Sequence, residues 1–124
     1  SLLPMSICLP AAGQGALVLE CRADDFATKD SVEAIDDYNT RYAVCAERTF
    51  LREFGGNCTV PVAAYATVNG SGLQMKTLVA DPDTGKIVTS SGIGNANDYE
   101  AIGLSCADEI RWLASFEGID GIIK

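Results

Sequence analysis

The sequence predicts an α+β fold: a three-stranded antiparallel sheet with helices packed on one face, preceded by a strand from a missing domain. Three observations predict it. Val60, Val62, Ala64, Ala66 and Val68 alternate with Thr59, Pro61, Ala63, Tyr65 and Thr67, the two-residue period of a strand with one buried face. Two glycine-bearing turns follow, which send the chain back across itself twice. On either side of these strands lie segments whose apolar residues recur at spacings of three and four, the helical period.

The elements follow in order. Leu9-Pro-Ala-Ala-Gly-Gln-Gly15 reads as a loop, and Ala16-Leu-Val-Leu-Glu-Cys21 is a continuous apolar run. Such a run suits a strand buried on both faces of a larger sheet, and no strand-like neighbour occurs before position 58. Residues 1–25 are therefore expected to be the tail of a preceding domain, and residues 26–124 a domain of their own. Ser31 is expected to cap a short helix through Tyr38, with Val32 and Ile35 on one face. Asn39 or Thr40 then opens a longer helix carrying Ala43, Ala46, Phe50 and Phe54, which Gly55-Gly56 ends because glycine takes left-handed dihedrals without steric cost. Pro61 suits the start of an edge strand. Asn69-Gly-Ser-Gly72 leads into Leu73–Ala80, with Leu73, Met75, Thr77 and Val79 on one face. Asp81-Pro-Asp-Thr-Gly85 turns into a third strand, Lys86–Ser91. Asn97 and Glu100 have capping-box spacing, and Ile102, Cys106, Ile110 and Leu113 form the stripe of the last helix.

Composition narrows the function. With 9 Lys+Arg against 17 Asp+Glu the formal charge is −8, which argues against nucleic acid or an anionic membrane as partner, since phosphate contact needs clustered cations. The chain has five cysteines and no histidine. No Cys-x-x-Cys occurs, so zinc-ribbon and zinc-finger spacings are absent and no metal site is expected. No signal peptide is visible and no apolar stretch approaches the roughly 18 residues of a membrane helix. Reduced thiols in the cytoplasm are the expectation.

One cysteine stands apart. Cys58 follows Gly55-Gly56-Asn57 between a helix end and a strand start, whereas Cys8, Cys21, Cys45 and Cys106 sit in apolar patterns and read as core or boundary packing. Without histidine, Cys58 has no base partner in this chain. It follows a helix C-terminus, whose partial negative charge disfavours a thiolate, and Arg52 is the nearest cation in sequence. It is poorly equipped as a turnover nucleophile but can form a bond once with a reactive electrophile; a half-buried structural cysteine is the plainer alternative. Gln14, between two glycines, can offer an amide to a ligand or serve only its own turn; the dinucleotide fingerprint is not matched. Glu20 and Arg22 read as structural pairs, Asp24 and Asp25 as solvated, and Glu47-Arg48 with Arg52-Glu53 as an exposed helix face.

Two blocks together resemble the C-terminal part of the porphobilinogen deaminase family, also called hydroxymethylbilane synthases. The first is Leu9-Pro-Ala-Ala-Gly-Gln-Gly-Ala-Leu-Val-Leu-Glu-Cys-Arg22 with Asp24-Asp25. The second is Glu47-Arg48-x-Phe50-Leu51, then Gly55-Gly56-Asn57-Cys58-Thr59-Val60-Pro61-Val62. Asn57 departs from the family's pattern, in which the two glycines directly precede the cysteine; Asn also tolerates left-handed dihedrals. The resemblance implies that Cys58 carries a dipyrromethane cofactor through a thioether, with Gln14 as a cofactor contact. It implies an enzyme that condenses four porphobilinogen units, with loss of ammonia, into hydroxymethylbilane. The catalytic aspartate and the carboxylate-binding arginines would then lie in N-terminal domains outside this chain, so no catalytic residue is assigned here and the fragment alone is expected to be inactive. The full enzyme is expected to be monomeric, while the fragment can self-associate through residues 16–21, an unpaired apolar strand. Two other readings share the element order or the fold: a double-stranded-RNA-binding-like module, which the acidic charge opposes, and a purely structural domain.

Overall fold

The computed structural model describes residues 8–54 and 60–119. Helix α1 (Phe26–Glu33) leads to α2 (Tyr38–Phe54), strands β1 (Val62–Asn69), β2 (Gly72–Ala80) and β3 (Ile87–Asn95), a 3-10 turn (Ala96–Asp98) and α3 (Tyr99–Glu117). The sheet is antiparallel in the order β1-β2-β3, so two hairpins in sequence give three strands side by side.

The alternation in the sequence sorts the side chains as expected. Ala64, Ala66, Leu73, Met75, Thr77, Val79, Val88 and Ser90 are buried on one face. Helices α2 and α3 cover that face, α2 over β1 and α3 over β3. From α2 come Ala46 and Phe50, and from α3 come Ile102, Cys106, Ala107, Ile110 and Ala114. Two polar residues are enclosed with them and are satisfied across the sheet: the Ser90 hydroxyl donates to the Cys106 carbonyl oxygen at 3.1 Å and lies 2.7 Å from the Thr77 hydroxyl. The two helices approach closely at Gly103, where a Cβ would stand 2.8 Å from the Ala46 carbonyl oxygen.

Both hairpin turns have the expected chemistry. Asn69 pairs with Gly72 across a two-residue loop, and Gly70 takes φ +63° at its first position, the dihedral for which glycine is selected. In the second turn the Asp81 carboxylate accepts from the Asp83 amide at 3.1 Å and the Thr84 hydroxyl at 2.6 Å. Those bonds hold its pKa below the ordinary value, the Thr84 hydroxyl contributing most.

Several boundaries differ from the sequence reading. The first helix begins at Phe26 rather than Ser31, because Asp25 caps it: its carboxylate accepts from both the amide and the hydroxyl of Thr28, at 3.1 and 2.7 Å. Asp25 is thus a cap and not a merely solvated charge, and the Ser31 hydroxyl lies within the helix, donating to the Ala27 carbonyl. The second helix opens at Tyr38, with the Asp37 carboxylate accepting from the Thr40 amide at 3.3 Å. Strand β3 runs four residues past Ser91, through Gly92 and Gly94. Those glycines end a strand pattern by propensity, yet α3 lies so near that a Cβ on Gly92 would meet Cys106 Sγ and Ile102 Cγ2 at 2.9 Å. The last helix is preceded not by an Asn97–Glu100 capping box but by a 3-10 turn capped by Asn95, whose side chain accepts from the Asn97 amide at 3.0 Å. Ala96 is buried and gives its amide to the Ser71 carbonyl oxygen, so the chain must turn tightly there.

Residues 16–21 form no strand in this chain, and Leu17 is 97% exposed. An apolar run joins a sheet only where a partner offers unpaired amides and carbonyls, and at the free edge of β1 the Ala64 amide is already taken by the Pro10 carbonyl. Cys8 and Cys21 are accordingly exposed, not packed, while Cys45 is half-buried and Cys106 buried. The Gly55-Gly56 helix stop and Cys58 lie outside the described residues.

Candidate functional site

The two sequence blocks singled out above meet in space. The loop at 10–15 is a double turn: the Gln14 amide donates to the Ala11 carbonyl and the Ala16 amide to the Gly13 carbonyl, with Gly13 and Gly15 at φ +75° and +85°. Gln14 Oε1 accepts from the Ala11 amide at 2.9 Å, so its side chain braces this turn. The loop then docks on the free edge of β1, where Pro10 accepts from the Ala64 amide at 3.2 Å and Ala12 packs against the core.

Glu47 completes the junction. It is buried, 5% exposed, and not on the outer face of α2 where the sequence reading put it. Burial pushes its carboxyl pKa up to about 7; the backbone amides of Ala66 and Gly13, which face the carboxylate, draw it down in part. Those two amides explain the placement: one belongs to the exposed edge of β1, the other to the docked loop, and buried amides require acceptors. A signal for this was present, since Glu47 falls four residues after Ala43 and three before Phe50, on the apolar stripe itself.

The connection from α2 to β1 carries Cys58. It leaves α2 at Phe54 and enters β1 at Val62. Of the other thiols, Cys106 is sealed in the core, where burial pushes its pKa up, and Cys45 is half-buried on α2. On the last turns of α2 Arg48 and Arg52 are exposed, and neither belongs to an ion pair among the described residues. They line a shallow groove with Cys45, Tyr99 and Glu100. Glu53, read from sequence as part of the same exposed face, instead pairs with Arg111 of α3 at 2.9 Å. Glu20 and Arg22 form no ion pair among the described residues. No cluster of metal-ligating side chains is present among them, and no helix among them is long and apolar enough to cross a membrane.

The class this defines is a small α+β domain with a helix-backed open sheet, a docked glycine loop and a cysteine on its helix-to-strand connection. A family model described as the C-terminal domain of porphobilinogen deaminase matches residues 41–111. Porphobilinogen deaminase of Pelotomaculum thermopropionicum is 44% identical over 115 residues, covering 93% of this chain and 37% of that protein. The Nostoc enzyme is 43% identical over 110 residues, covering 89% and 34%, and the Listeria monocytogenes enzyme 40% over 122 residues, covering 98% and 38%. The chain belongs to the porphobilinogen deaminase family, and spans little more than a third of the length of these relatives.

Proposed function

We propose that this chain is the cofactor-carrying part of a hydroxymethylbilane synthase, a transferase that condenses four porphobilinogen units into hydroxymethylbilane, and that Cys58 holds the dipyrromethane cofactor. The observation that carries the reading is the family match across the segment containing Cys58, together with the burial that removes Cys106 from consideration. Attachment makes one carbon–sulfur bond at Cys58 and breaks one carbon–nitrogen bond of an aminomethylpyrrole, the thiol proton leaving on ammonia. When bound, the dipyrromethane supplies the free pyrrole position to which further units are added.

The residues of this chain fit such a group by position and charge. Arg48 and Arg52, exposed and outside any ion pair among the described residues, are two cations on an otherwise acidic chain, able to pair with pyrrole carboxylates. Gln14 braces the glycine loop internally, and on this reading that loop, docked on β1 through Pro10, borders the cofactor. The catalytic aspartate and the principal carboxylate-binding arginines belong, on this reading, to the remainder of the protein, so these 124 residues alone do not turn over porphobilinogen. The four cysteines among the described residues are free thiols, in keeping with the reducing, cytoplasmic setting of this reading. The full enzyme acts as a monomer, whereas the isolated chain can pair through residues 16–21.

The test is Cys58→Ser in the full-length protein. The variant is expected to fold, with an unchanged circular dichroism spectrum, and to show an intact mass lacking the dipyrromethane. A variant that keeps that added mass would overturn the assignment.

A further inference from the structure

Three contacts converge on the end of α2 from a single side chain. Arg111, in the fourth turn of α3 and beside the buried Ile110, donates from Nη1 to Glu53 Oε2 at 2.9 Å. Its Nη2 donates to the backbone carbonyl oxygen of Glu53 at 2.7 Å. Its guanidinium carbon lies 5.0 Å from the centroid of the Phe54 ring. A further carboxylate, Asp108, is at 3.7 Å but largely exposed.

Each contact has a separate physical basis. The last four carbonyls of a helix lack intrahelical donors, and Glu53 is within that turn. A cation at a helix C-terminus is favoured by the macrodipole. The planar guanidinium alone can serve a carboxylate and a carbonyl at once while lying over a ring. With the pair's side chains 34% and 33% exposed, solvent screens the contact less than it would on the open surface. The clamp ties the final turn of α2 to α3 across 58 residues of sequence.

We propose that Arg111 is a positioning residue for cofactor attachment: it fixes the last turn of α2, and so the point from which the segment bearing Cys58 departs four residues later. This rests on the reading that Cys58 carries the cofactor. It assigns no contact between Arg111 and the cofactor. Without the clamp, Glu53 loses its donor and its partner together, and the last turn frays as helix ends do when their carbonyls are left to water.

The experiment uses the full-length protein with Arg111→Ala, Arg111→Lys and Glu53→Gln, each prepared without cofactor and then incubated with porphobilinogen. Intact mass follows the rate of cofactor loading, and hydrogen exchange reports on residues 51–54. For Arg111→Ala, exchange at 51–54 is expected to rise, and loading to slow, by about tenfold, the scale of a lost charge-assisted hydrogen bond. Exchange in β2 and α3 is expected to stay near wild type, which a general loss of stability would not allow. Arg111→Lys keeps the charge without the fork and is expected to fall between; it also covers the case in which the alanine variant does not fold. Glu53→Gln, which retains the carbonyl contact, is expected to slow loading least. Wild-type loading in Arg111→Ala despite raised exchange at 51–54 would overturn the proposal, as would unchanged exchange there. Loading of a Cys58→Ser control would instead overturn the cofactor assignment beneath it.

Discussion

Two apolar runs in this chain have opposite fates. Leu73, Met75 and Val79 of β2 are buried, whereas Leu17, Val18 and Leu19 stand exposed. The difference does not lie in hydrophobicity. β2 has a strand on each side, register fixed by two tight turns, and helices over one face. The earlier run has neither a ladder nor a cover among the described residues. Burial follows from partners, and sequence pattern alone records only the capacity for it.

The contrast is easiest to break by truncation. Phe50→Ala is expected to cost about 3–5 kcal/mol in urea unfolding of the chain, as large core truncations do, while Leu17→Ala is expected to change it by less than about 0.5 kcal/mol. Equal effects at the two positions would mean that residues 16–21 pack in solution. Overpacking probes the same core from the other direction. Gly103→Val places atoms where the Ala46 carbonyl and Thr49 Cβ already sit, at 2.8 and 2.9 Å from the first added carbon, and is expected to destabilise by about 1–3 kcal/mol.

Glu47 sharpens the comparison where the docked loop meets the domain. Its carboxyl titrates at about 7 in the folded chain against 4.5 ordinarily. Between those values the folded state binds more protons than the unfolded state, so this group's contribution to stability is full below pH 4.5 and is lost as pH rises through 7. The stability of wild type relative to Glu47→Gln is expected to fall by on the order of 2–3 kcal/mol over that interval, read from urea midpoints at each pH. A flat difference would show that the carboxyl is solvated. The smallest effect belongs to α1, which buries no residue. Asp25→Ala is expected to raise amide exchange across residues 26–33 while leaving the urea midpoint of the chain where it was.

The sheet and its two backing helices were legible because their signals are local: alternation, stripe spacing and turn residues each act within a few positions. The shifted ends have non-local or competing causes. Asp25 outbids Ser31 as a cap through a second hydrogen bond to the Thr28 side chain. β3 outlasts its propensity because α3 leaves room only for glycine at position 92. Glu47 was legible in principle, since it sits on the apolar stripe, but a charged residue there is read as surface unless its amide partners are known. The Arg111–Glu53 clamp joins residues far apart in sequence and has no local signature at all. Cys58 was marked by its loop and by the resemblance of the residues around it.

Peptide mapping of the wild-type full-length protein shows where the cofactor is attached. Trypsin cleaving after Arg52 and Lys76 releases a peptide, residues 53–76, whose sole cysteine is Cys58. The dipyrromethane mass is expected on that peptide and on no other; its presence on the peptide bearing Cys45, or on none containing a cysteine of this chain, would rule out Cys58 as the point of attachment.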